Sequence, residues 1–202
     1  MNVQHDRITQ LAAKVLNHPE ASVDSQSFDA YFKIDKNIRY RDEVQAITGI
    51  TREMLDEVGL EFDVAWTRFM TWLSDSRLDK VTNEKRPLVL VAHHGKQYDF
   101  KMIDAELKRH NLVQSWINDA DISCMVDSLE LFRDKSMWSS TGLMEPKSKN
   151  LVNLTEFLLH RSLDNAHNAI YDVAALTELL QSKGIKDIWR NIANSKQFYY
   201  DN

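Results

Sequence analysis

A short aliphatic run between a proline and a glycine, Pro87-Leu-Val-Leu-Val-Ala-His-His-Gly95, constrains this chain more than any other feature. Leu88–Ala92 is apolar throughout and lacks the alternation of a strand with one solvated face, so it reads as a strand buried on both faces. Directly after it, Tyr98–Asn111 sets Phe100, Ile103 and Leu107 on one stripe of a helix. Strand, tight turn and helix in that order make the unit of a layered α/β sheet.

The rest of the pattern extends that unit. Ser27–Ile34 alternates apolar and polar residues and predicts a strand, while Arg7–Leu16 is ambiguous between strand and helix. Glu61–Leu78 carries Phe62, Trp66, Phe69 and Leu73 at helical spacing. Ile122–Val126 predicts a second buried strand and Ser128–Lys135 a helix. Ser136–Lys149, with Ser-Ser-Thr-Gly and a proline, predicts a flexible loop. Leu151–His160 and Ala166–Lys183 predict two helices, the second stopped by Gly184. The expected architecture is therefore a single α/β domain over residues 1–202 with a mixed sheet flanked by helices, since 202 residues suit one domain.

Composition narrows the partners. No stretch approaches the ~18 apolar residues of a membrane span, so no membrane segment is expected. The opening Met-Asn-Val-Gln-His-Asp has neither the basic nor the apolar region of a signal peptide. The single cysteine, Cys124, excludes an internal disulfide and a Cys-rich zinc site, and fits a reducing compartment, cytoplasmic or nuclear. A net charge of −5 argues against a large basic surface gripping nucleic acid, but leaves open a site that reaches phosphate through bound metal.

Three segments hold residues suited to chemistry. In Val91-Ala-His-His-Gly-Lys-Gln-Tyr-Asp99, the aspartate falls in the first turn of a helix after a buried strand, at the carboxyl edge where open α/β sheets place ligands. Read alone, Asp99 equally serves the helix dipole. In Ala166-His167-Asn-Ala-Ile-Tyr-Asp172, a histidine and a carboxylate just over a turn apart either flank one cleft as base and metal ligand or decorate an exposed face. Asp127, before Ser128-Leu129, either caps a helix or joins the site.

Together these segments resemble, in order and spacing, the DEDDh family of 3′–5′ exonucleases. There a strand and Val-Ala-His-Asn-Gly precede Phe-Asp at the head of a helix, matched by Val91–Gly95 and Tyr98-Asp99. An Asp-Ser/Thr-Leu element is matched by Asp127-Ser128-Leu129, and Ala-His-x-Ala-x-x-Asp by Ala166–Asp172. Ile8–Ala13 resembles the family's second strand, Ile47–Thr51 its His-Gly-Ile-Thr turn and Phe62–Leu73 the following helix, so the likeness covers about 8–180 and leaves 185–202 as an extension. The resemblance implies an RNase H-like fold and hydrolysis of nucleic-acid phosphodiesters at DNA or RNA 3′ ends. It implies a site with two Mg²⁺ or Mn²⁺ ions ~3.5–4 Å apart, His167 as general base, and Asp99 and Asp172 as metal ligands. His94, Asp127 and Trp138 are candidates for substrate contact, and Lys147 and Lys149 for phosphate.

One family element has no counterpart here. The first strand, with its Asp-x-Glu, lies upstream of the strand matched by Ile8–Ala13, and Met1–Arg7 contain no such motif. The expected sheet lacks that central strand. A longer chain upstream, a protein partner that adds a strand, or a different closure of the sheet would account for this. The rival to an active nuclease is a noncatalytic module that keeps the fold for binding nucleic acid or protein. The aromatic end, Gln197–Asn202, is expected to dock on the body or to mark a partner site.

Overall fold

In the computed structural model, residues 6–16, 27–78, 82–182 and 184–185 are described; the aromatic end expected to dock lies outside them. The chain runs β1 (Gln10–Lys14), β2 (Ser27–Tyr31), α1 (Asp42–Thr48), α2 (Arg52–Val58), α3 (Phe62–Ser76), β3 (Leu88–Ala92), α4 (Asp99–Arg109), α5 (Val113–Asp119), β4 (Ile122–Asp127), α6 (Ser128–Arg133), α7 (Lys135–Thr141), α8 (Leu151–Leu159) and α9 (Ala169–Gln181). The ambiguous first segment is a strand. Thr51 caps α2 by accepting the amide of Met54, and Gly49 ends α1 in the left-handed region.

The strands form two separate pairs. β1 and β2 are antiparallel, with Gln10 opposite Tyr31 and Lys14 opposite Ser27. β3 and β4 are parallel, from Leu88 opposite Ile122 to Ala92 opposite Asp127, with one irregularity between Leu88 and Val89. Among the described residues no strand joins β1 to β3, so each keeps one edge without a strand partner. Among the described residues the sheet is thus an antiparallel pair and a separate parallel pair.

Two apolar clusters flank the strands. Trp66, Phe69 and Leu73 of α3 meet Ile103 and Leu107 of α4 and Trp116 of α5, and Leu11, Phe28, Leu88 and Leu90 pack against them. Leu131, Phe132, Trp138, Leu154, Leu176 and Leu179 knit α6 to α9 on the other side, where Val91 reaches them. The alternation of Leu88 and Leu90 against Val91 explains why the run is apolar throughout: β3 serves both layers. It is nonetheless less buried than expected, with Val89 37% exposed.

The predicted loop over Ser136–Lys149 is half helical, since α7 occupies Lys135–Thr141. Asp134 caps it by accepting the amide of Ser136, and Gly142 ends it at φ 67°. The last helix stops at Gln181, earlier than the predicted Lys183, and Gly184 supplies a left-handed turn (φ 87°) just beyond.

Candidate active site

Asp99 is positioned by the turn that leaves β3. His94 and Lys96 donate their amides to the two carboxylate oxygens of Asp127, at 2.9 and 3.1 Å, and Leu129 donates to the same oxygen as His94 at 2.9 Å. Asp127 thus caps α6 and holds the turn against the end of β4, which favours the capping reading. It is 2% exposed and both oxygens are engaged, so the structure does not offer it to substrate. The Lys96 ammonium, 2.7 Å from Glu130, adds a second tie. Gly95 is required by close packing: a Cβ there would lie 2.8 Å from both Ala92 Cβ and the Phe100 ring. The result is Asp99 as the first residue of α4, at the carboxyl end of the parallel pair.

Asp172 sits in the first turn of α9 and accepts the amide of His167 at 3.3 Å. The first sheet half anchors that helix. Gln10 of β1 accepts the amide of Ala169 at 2.9 Å and donates to Asn168 at 3.2 Å and to Asp29 at 2.9 Å. Both candidate histidines, His94 (φ 68°) and His167 (φ 70°), adopt the left-handed backbone that non-glycine residues rarely take. In each case a carboxylate, Asp127 or Asp172, accepts the amide of that residue.

The electrostatics connect these positions. Asp99 is an exposed residue with protein packed around its carboxyl; desolvation raises that carboxyl above the usual range, a backbone hydrogen bond at Asp99 itself lowers it, the charges of Asp127 and Asp172 raise it further, and His94 lowers it. Desolvation also raises Asp172, opposed by its hydrogen bond from His167 and the nearby His167 ring. The charges of Asp127, Asp172 and His94 thus act on Asp99, and His167 acts on Asp172. His93 is apart from it in role: its Nε2 donates to the Lys149 carbonyl at 2.8 Å and its Nδ1 faces the Ser128 hydroxyl at 3.0 Å. Burial lowers its pKa, so it is a neutral structural strut.

Trp138 does not belong to the site. It was expected in a loop facing substrate, but it lies in α7, is 3% exposed and donates its indole N–H to the Phe132 carbonyl at 2.9 Å. The apolar face of α7 carries it into the core. Tyr98 and Tyr171, each immediately before a candidate carboxylate, are 51% and 47% exposed.

The donor set suits a hard divalent cation in part. The charge of Asp172 acts on Asp99, which favours a cation near both, and Mg²⁺ is commonly held by one or two carboxylates with water and substrate oxygens. Among the described residues there is no group of three or more His, Cys, Asp or Glu side chains suited to a metal, so a full two-ion cradle is not assembled by them.

Comparison with known proteins agrees with this fold. An exonuclease family model matches residues 1–180. The chain belongs to the exonuclease family. Among solved structures, the zinc-bound E. coli ExoI–ssDNA complex matches with a TM-score of 0.72 at 19% identity, over 96% of this chain and 39% of that one. Cell-death related nuclease 4 matches at 0.62 and 20% identity, over 86% and 55%. The nuclease domain of 3′hExo, a DEDDh family member bound to rAMP, matches at 0.62 and 14% identity, over 97% and 86%. The chain thus spans about half or less of the first two, and at these identities the likeness is one of fold. A search of curated proteins gives no match.

Proposed function

We propose that this chain removes nucleotides from DNA or RNA 3′ ends by hydrolysis of the phosphodiester bond, with Mg²⁺ or Mn²⁺. The supporting observation is the effect of the Asp172 charge on Asp99, two carboxylates carried by different helices, with His167 beside Asp172. Asp99 and Asp172 would hold the cation, which supplies charge neutralisation for the phosphate and for the oxygen that leaves. His167, exposed at the entrance to α9, takes the proton of the attacking water at its imidazole nitrogen. This arrangement lets a chain with a net charge of −5 meet a polyanion.

A purified chain incubated with a 5′-labelled single strand and Mg²⁺ or Mn²⁺ is expected to shorten it from the 3′ end. His167→Ala is expected to slow that reaction by about 10²–10⁴-fold, the range for loss of a general base. Asp99→Asn is expected to abolish it. Cleavage that survives both substitutions overturns the assignment. The absence of a three-residue metal cluster among the described residues favours a second reading, a nucleic-acid or protein-binding module. Tight strand binding without cleavage by a cooperatively melting protein would select it.

A further inference from the structure

A recess of about 590 Å³ opens at the turn between β3 and Asp99, where His93 and His94 form part of its wall. The remaining wall comes from the end of α6 and the segment before α8, including Arg133, Glu145, Lys147, Ser148 and Asn150. That segment is fixed from within. His93 accepts no freedom in it, donating to the Lys149 carbonyl at 2.8 Å, and the Asn150 side chain caps α8 by accepting the amide of Asn153 at 2.8 Å. The Lys149 ammonium lies 2.8 Å from Glu145 and 5.8 Å over the Trp138 ring, so it neutralises the acidic member of the wall. Arg133 and Lys147 are exposed and stand in the wall without a carboxylate set against them in any ion pair among the described residues. In an acidic chain, this leaves a concave, positively charged patch next to the proposed reaction centre.

We propose that this recess seats a backbone phosphate of the substrate strand, a nucleotide or more from the bond being cut, with Arg133 and Lys147 as its cationic contacts. The inference rests on the proposed nuclease reading, because it takes the strand's 3′ end to lie at Asp99 and Asp172. Arginine offers a planar fork that matches two phosphate oxygens, and lysine a mobile point charge, so the pair tolerates sequence variation while fixing the path of the strand. The polar Ser148 and Asn150 side chains border the same space and suit phosphate oxygens better than bases. Tyr98, edge-on to His94 at 4.8 Å between ring centroids, stands between this recess and the start of α4.

The test is fluorescence anisotropy of a 5′-fluorescein oligothymidylate with Ca²⁺ in place of Mg²⁺, measured across a salt series. Arg133→Ala and Lys147→Ala are each expected to weaken binding several-fold. Each should also flatten the dependence of log K on log salt by about 0.7, the value for one single-strand phosphate contact. Lys108→Ala, which removes a cation paired with Asp104 on the far end of α4, should leave the slope unchanged. Arg133→Lys and Lys147→Arg should restore the slope and guard against misfolding. Wild-type slope and affinity in both alanine variants, alongside intact cleavage by the wild type, would overturn the recess while leaving the nuclease reading in place. A wild type that binds no strand would overturn both.

Discussion

Aromatic and titratable side chains take opposite fates here according to how their polar atoms are matched. Trp138 buries its ring and satisfies its indole N–H at a carbonyl, so Trp138→Ala is expected to cost about 3–5 kcal/mol in denaturant unfolding. Strand affinity per folded molecule should stay unchanged, and a selective loss of affinity would return Trp138 to the site. Asp99 shows the reverse case. Its native pKa lies above the unfolded value of 3.8, so the native state binds the proton more tightly. Its charge therefore weakens the fold above the native pKa, and that penalty fades as pH falls towards 3.8. Without divalent cations, Asp99→Asn should raise the melting temperature at neutral pH, with the gain disappearing in acid. His93 contributes with the opposite slope: lowered from 6.5, it supports stability fully above that pH and loses the contribution as pH falls through its native value. Melting curves of wild type and His93→Gln across this range should converge in acid.

At the scale of elements, β3, the turn and α4 form one device for placing Asp99. Gly95→Ala forces a methyl to 2.8 Å from Ala92 and Phe100, and is expected to cost about 1–3 kcal/mol and to reduce cleavage by shifting the start of α4. Unchanged stability and activity would show that the turn relaxes freely. This device was legible from sequence because an apolar run, a glycine and a helical stripe each have a local signature. Of the residues singled out for the site, the structure gives Asp127 the capping role. Short elements were less legible: α1, α2 and α5 are too brief for a full helical period to stand out. α7 was hidden because its serines and threonine look like loop residues, while Met137 and Trp138, which bury its inner face, declare themselves only in contact with Phe132 and Leu154. Arg133 gave no signal, since a basic residue in a last helical turn is ordinary.

Across the whole molecule, the site lies where the two sheet halves meet through helices rather than through strand pairing. Gln10 ties the β1–β2 half to the head of α9, and Asp127 ties the end of the β3–β4 half to the head of α4. Asp172 and Asp99 thus depend on different halves, and a ligand that joins them should join the halves. Divalent cation is accordingly expected to raise the melting temperature of the wild type and to do so less in Asp99→Asn. The most direct test counts the cation itself. Mn²⁺ titration followed by electron paramagnetic resonance should show saturable binding to the wild type, greatly weakened by either Asp99→Asn or Asp172→Asn alone. Wild-type Mn²⁺ affinity in both single variants would contradict a shared site at these carboxylates.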